Sequence, residues 1–249
     1  MPGNPLPSER LARLQADGLA GARSRLLRQA GIARRRCVLD VGCGWGHVSH
    51  ELSRRSAGCV IAIDVLQPAL TYGLAQARAR AAGRRGGDVY HVRADATRLP
   101  LEDAACDLVF VQCVLLWLTH PREALAEAVR VLQPGGALVA LEPDFGGLMA
   151  HPPEYDLRSL WLDVLRRCAA DPLVGRRLPD WLRQVGLAVE TRFLDRLEPA
   201  DATYLELLDE LPLTSAQQQQ VADVRAAWSA RAEPPTVHLP YWLVLGWKR

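Results

Sequence analysis

Residues 37–46 read Cys37-Val38-Leu39-Asp40-Val41-Gly42-Cys43-Gly44-Trp45-Gly46, a short apolar run that stops in a glycine-rich turn. Val38, Leu39 and Val41 are strand formers in a near-continuous apolar run, the pattern of a parallel strand buried on both faces. Glycine at 42, 44 and 46 permits positive φ and removes side chains, so backbone there can press against a ligand. Val48 and Leu52 follow one turn apart, which predicts a helix opening over the turn. Strand, turn and helix together predict an α/β enzyme with a nucleotide-type cofactor at the C-terminal end of the strand.

Spacing narrows the ligand. A dinucleotide fingerprint, Gly-x-Gly-x-x-Gly, uses its third glycine to bring helix and strand together around a pyrophosphate. Here the third position of that fingerprint is His47, and no Gly-Lys-Ser/Thr follows to make a P-loop. A pyrophosphate ligand is disfavoured on both counts. Val60-Ile61-Ala62-Ile63-Asp64 is a second apolar run ending in an acid, 18 residues after Gly46. A carboxylate at a strand tip can accept hydrogen bonds from both hydroxyls of a ribose. Helical spacing follows over Pro68–Ala82, and strand-like runs recur at Val89–Ala96 and Asp107–Cys113.

In this order the elements resemble the class I S-adenosylmethionine-dependent methyltransferases. Leu39–Gly46 is similar to that family's first motif, and Val131–Glu142, with Pro134-Gly135-Gly136, to its helix, turn and fifth strand. The resemblance implies an α/β, doubly wound, Rossmann-like sheet of seven strands, mostly parallel with an antiparallel last strand, and helical lid insertions. It implies S-adenosyl-L-methionine as cofactor and S-adenosyl-L-homocysteine as product. It also assigns the cofactor contacts to Asp40, Gly42, Cys43, Gly44, Asp64, Val65, Asp95, Ala96, Gln112 and Trp117. In that scheme Asp40 and the turn hold the methionine end, Asp64 the ribose and Asp95 the adenine amino group. Asp107, at the start of the fourth strand, falls at the bottom of the sheet and reads as structural.

Composition agrees with one compact enzyme domain over residues 1–249. A net charge of +2 leaves no electrostatic footprint for nucleic acid, and among thirty basic residues only Lys248 is not arginine. Arg34-Arg35-Arg36 reads as a solvated connection. No apolar run approaches the roughly 18 residues of a membrane span. Met1–Pro7 has no apolar core of a signal peptide, so a cytoplasmic location is expected. The six cysteines show no Cys-x-x-Cys pair and no metal-ligand spacing, which reads as reduced thiols and no metal site.

Outside the core, Leu11–Ala30 reads as helix interrupted by Gly18 and Gly21. This N-terminal cap, residues 1–34, is either a lid over the site or packing on the sheet edge. Segments 143–178 and 199–232 follow strands whose C-terminal ends face the crevice, so they are expected to cover the acceptor. Helices are expected at Ser159–Ala170 and Asp171–Leu182, a sixth strand at Val189–Leu194 and the last at Tyr241–Trp247.

The exit of strand four, Gln112-Cys113-Val114-Leu115, lacks the Asn/Asp-Pro-Pro-Tyr/Phe grip on planar nitrogens. It also lacks the carboxylate of metal-dependent catechol-type relatives. What remains resembles the ubiquinone-biosynthesis and natural-product group, with in-line SN2 transfer to oxygen, nitrogen or carbon of a small molecule. His151 beside Asp144 is the candidate general base, against the reading of an exposed loop histidine. Trp117, Tyr155, Trp161 and Trp181 are candidate pocket aromatics. A non-catalytic S-adenosylmethionine-binding protein, an RNA or protein methyltransferase and an NAD-linked oxidoreductase are the alternatives. A homodimer is left open.

Overall fold

The computed structural model describes residues 6–81, 87–193 and 203–249. Helices α1 (Glu9–Gly18) and α2 (Ala20–Gln29) lead into strand β1 (Cys37–Val41). The alternation continues through α3 (His47–Arg55), β2 (Cys59–Asp64), α4 (Gln67–Ala81), β3 (Val89–Arg93) and β4 (Cys106–Gln112), then α5 (Pro121–Val131) and β5 (Leu132–Pro143). Beyond it come β6 (Met149–His151), α6 (Arg158–Arg167), α7 (Val174–Gln184) and β7 (Leu187–Phe193). The chain closes with α8 (Thr203–Asp209), α9 (Ser215–Ser229), β8 (Thr236–His238) and β9 (Tyr241–Lys248). Ala82 and Leu194, the expected ends of a helix and a strand, lie outside the described residues, as do 1–5 and 199–202 of the expected lids.

Seven strands form one sheet in the order β3-β2-β1-β4-β5-β9-β7. Neighbours from β3 to β5 run parallel, and β9 is antiparallel to both β5 and β7. Val38, Leu108, Phe110 and Val139 fill the core on one face, while Leu39, Val109, Leu138 and Val244 fill the other. This period of two is what a sheet covered on both sides requires. A second sheet of two strands, β6 with β8, was not anticipated from sequence. Three residues per strand are too few for a periodic signal.

Polar contacts fix the ends of these elements. Asp107 accepts from the backbone N–H of Arg36 at 2.7 Å and Cys37 at 3.2 Å, fastening β4 to the entry of β1. Gly175 lets α7 lie against β5, since a Cβ there would come within 2.7 Å of the Pro143 carbonyl oxygen and 2.8 Å of that of Glu142. Lys248, the one lysine in the chain, donates from Nζ to the carbonyls of Val129 and Leu132, both at 2.6 Å. It thereby closes the junction of α5 with β5 from the far end of β9. Charged donors on carbonyls contribute roughly 1–3 kcal/mol. Lys248→Met should lower the unfolding free energy by about that amount in urea titration; an unchanged midpoint would show the contact to be idle.

Candidate active site

Chain order reverses between β1 and β4, because β2 and β3 extend the sheet to one side and β4 and β5 to the other. The crevice outside the C-terminal ends of these strands is where α/β sheets take their ligands. The glycine turn lies there, with φ of +66° at Gly42, +49° at Gly44 and +80° at Gly46. A Cβ on Gly42 would lie 2.5 Å from Cγ2 of Val114, so the exit of β4 packs directly on the turn. Cys43 donates its N–H to the Ile63 carbonyl, and Gly44 donates to Asp64 Oδ2, each at 2.9 Å. Asp64 Oδ1 accepts from the Leu66 N–H, also at 2.9 Å. Each carboxylate oxygen retains acceptor capacity toward the cavity.

Two other acids are buried nearby. Asp40 accepts from Ser49 Oγ at 2.5 Å. Burial pushes its carboxyl up to about 7, against the Ser49 bond and the charge of Arg23. Glu142, with no exposed surface, takes the N–H groups of Val114 and Leu115 on Oε1 at 2.9 and 3.0 Å. Its Oε2 is buried without a hydrogen-bond partner, and burial raises its pKa to about 7 as well. Arg23 holds Glu51 Oε2 through Nε and Nη2 at 2.8 and 2.5 Å, and donates from Nη1 to Gln112 Oε1 at 3.1 Å. The carbonyl side of the Gln112 amide is thus fixed by a buried cation.

Of the sequence candidates, Asp40, Gly42, Cys43, Gly44, Asp64, Gln112 and Trp117 line one cavity. Its outer wall is apolar, with Leu116, Phe145, Trp161, Leu207 and Leu211. Phe145 and Trp161 pack with ring centres 4.9 Å apart. Leu6, Gln15 and Ala16 complete the wall from the N-terminal side, and Glu210, just after α8, from the other. These two segments are strapped together: Ser8 N–H donates to Glu210 Oε2 at 2.7 Å, and Arg10 pairs with Glu206. Trp45 Nε1 donates to the Pro7 carbonyl at 2.8 Å, tying the glycine turn to the same strap.

The remaining candidates fall elsewhere. Val65 is 44% exposed beside Asp64, outside the cavity lining. Asp95 is exposed and accepts from Thr97 N–H and Oγ1, both at 2.8 Å, while Ala96 is buried in the core. Asp144 and His151 share no hydrogen bond or ion pair among the described residues. Asp144 is buried and bound by Arg176 Nε at 2.8 Å, Gly146 N–H at 3.1 Å and Trp242 Nε1 at 3.3 Å. His151 is exposed on β6, opposite Thr236 of β8, because that ribbon carries it outward. Tyr155 is a core residue against Trp228, and Trp181 does not line the cavity. Among the described residues no cluster of three His, Cys, Asp or Glu side chains suits a metal ion.

A family model described as a methyltransferase domain matches residues 39–140. Over 217 residues the chain is 30% identical to a malonyl-[acyl-carrier protein] O-methyltransferase of Pseudescherichia vulneris, covering 82% of this chain and 78% of that protein. The chain belongs to the class I S-adenosylmethionine-dependent methyltransferases. It is also 36% identical over 127 residues to a demethylmenaquinone methyltransferase of Renibacterium salmoninarum, 49% of each chain. For several such relatives the matched segment spans less than half of their length. The YcgJ protein of Bacillus subtilis shares the fold, with a TM-score of 0.66 at 18% identity over 91% of this chain and 99% of that one. No helix among the described residues is long and apolar enough to cross a membrane.

The cavity suits the cofactor of this methyltransferase family. The positive-φ turn bares backbone, Asp64 has acceptor capacity left for a diol, and Asp40 is a buried acid that a cation would relieve. In the ligand-free protein these acids cost stability. Unfolded carboxyls titrate near 4 and the buried pair near 7, so the folded state holds more protons between those values. Stability should therefore fall as pH rises from about 4 to about 7 and level off above the folded pKa. Glu142→Gln keeps the acceptor oxygen without the charge. Its Tm should exceed wild type at pH 8 and fall less across the window; an unaltered slope would show that Glu142 does not titrate there.

Proposed function

We propose that this chain transfers the methyl group of S-adenosylmethionine to a small, uncharged and largely apolar acceptor. The reading rests on a single cavity that joins the Gly44–Asp64 clamp at one end to an aromatic and aliphatic wall at the other. Around that cavity the charged side chains Asp40, Asp64 and Glu210 are acids, a poor setting for an anionic acceptor. Between the two acceptor chemistries named for the relatives, this favours a demethylmenaquinone-like ring over a malonyl carboxylate.

Bound there, the cofactor would supply a methyl activated by its sulfonium; the acceptor's new bond would form as the S–CH3 bond breaks to give S-adenosylhomocysteine, with the acceptor's own proton released to solvent. Asp64 accepts from the ribose hydroxyls while still bracing Gly44 and Leu66. Asp40 and the glycine turn hold the methionine end, and Gln112, its oxygen taken by Arg23, is left to donate from its amide nitrogen. Val65 and Asp95, beyond the cavity lining at the exits of β2 and β3, serve a cofactor end that reaches past the cavity. The cap at 1–34 and the segments 143–178 and 199–232 act as lids that order the acceptor and keep out water. Methyl transfer then gains most from alignment, since the electrophile is already activated.

Two measurements test this reading. Hydrogen bonds to a charged acceptor are each worth about 1.5–3 kcal/mol, roughly ten- to 150-fold in affinity. Asp64→Ala should weaken calorimetric binding of S-adenosylmethionine and S-adenosylhomocysteine by at least tenfold while circular dichroism is unchanged. No binding of either ligand to folded wild-type protein would overturn the reading. Ionised Asp40 attracts the cationic methionine end and protonated Asp40 does not, so affinity should tighten from pH 5.5 to 7.5. Asp40→Asn should flatten that dependence; the same slope in variant and wild type would remove Asp40 from the site.

A further inference from the structure

Three of the six cysteines meet at the end of the sheet opposite the cavity. Cys37 begins β1, Cys59 begins β2 and Cys106 begins β4. Cys37 and Cys59 are register partners on adjacent parallel strands, and the sulfurs of Cys37 and Cys106 lie 3.7 Å apart. Cys106 is buried, whereas Cys37 and Cys59 are half-buried. Cys59 also lines an open apolar groove with Ile61, Tyr90, Val92 and Leu101, and Cys37 is itself half-buried, so the cluster is not sealed from solvent. The sulfur–sulfur hydrogen bond pulls the Cys37 thiol below its ordinary range and pushes Cys106 above, against the opposing effect of burial and Asp107 on Cys37. A thiolate is the attacking form in thiol chemistry, so the cluster has a distinct nucleophile and a neighbour to resolve it.

We infer that Cys37 and Cys106 form a peroxide-responsive dithiol, converted to an intrachain disulfide with Cys37 as the attacking sulfur. The Cys37 thiolate displaces hydroxide from hydrogen peroxide, forming an S–O bond as the O–O bond breaks, and the hydroxide takes up a proton to leave as water. Cys106 sulfur then attacks the sulfenic sulfur. The S–S bond forms, the S–O bond breaks, and the departing hydroxide takes the Cys106 proton and leaves as water. Two thiols and one peroxide thus give one disulfide and two waters. The two sulfurs start near enough for this closure to need side-chain rotation and a small backbone shift at the strand entries.

The dithiol is independent of what the cavity binds, so its test does not use methyl transfer. The intact chain is treated with hydrogen peroxide, free thiols are blocked, and a non-reducing proteolytic digest is mapped by fragmentation spectra. A Cys37–Cys106 link is expected, with two fewer alkylated thiols and full reversal by dithiothreitol. Cys37→Ser and Cys106→Ala, each folded by circular dichroism, should both lose the link. A Cys37–Cys59 link, a Cys43–Cys113 link in its place, or oxidised protein with all six thiols still alkylated would overturn the inference. Irreversible sulfinic acid on Cys37 without a crosslink would overturn it too.

Discussion

The Gly44 N–H donating to Asp64 Oδ2 spans the gap between the end of β1 and the tip of β2. It holds open a turn whose glycines all have positive φ, a conformation that L side chains resist. From that turn the construction spreads outward by single contacts. Gly42 receives Val114, Val114 and Leu115 give their N–H groups to Glu142, and Glu142 stands at the end of β5. Four strand ends are thereby referenced to one backbone amide. Asp40, one residue from the end of β1, gets its depth and its orientation toward Ser49 from the same frame.

Burying this much carboxylate is expensive, and the fold offsets it unevenly. Arg23 supplies a positive charge from α2 but spends its short contacts on Glu51, Gln112 and the Ala16 carbonyl rather than on Asp40. Asp40 keeps one hydroxyl donor, and Glu142 keeps an oxygen with no partner. A sequence under selection for stability alone would place apolar residues here, as replacement of buried ionic groups often proves neutral or better. Buried acids with raised pKa, one of them lining a cleft, instead point to a site whose electrostatics are completed from outside.

Much of this frame was legible in the sequence because its determinants are local. Apolar runs ending in Gly42, Asp64 and Gln112 report strand, turn and polarity within a few residues of each other. Most of what was not legible is long-range. His151 and Asp144 lie close together beyond strand five, which made them look like an acid–base pair. Arg176, arriving from α7, captures Asp144, and pairing with β8 turns His151 outward, neither of which leaves a trace near residue 144. The same holds for Arg23, an arginine in an otherwise apolar stripe of α2 whose partner Gln112 is contributed by β4. The straps from Ser8 to Glu210 and from Arg10 to Glu206 likewise join segments about two hundred residues apart, where spacing carries no information.

The cavity consequently has two kinds of wall. The cofactor side is built from central strands, with side chains in the core on both faces and no room for a Cβ at Gly42. The acceptor side is closed by α1, α8 and the residues before α1, joined by an exposed ion pair and a few surface hydrogen bonds. Exposed pairs of that kind are screened by water and salt and hold their partners weakly. Opening the acceptor side breaks these polar contacts and the packing of Leu205 and Leu208 against the core, whereas opening the cofactor side would break the sheet. A rigid wall of glycines and acids on the strand ends, facing an apolar wall fastened by surface polar contacts, follows from the same placement of glycines, acids and leucines.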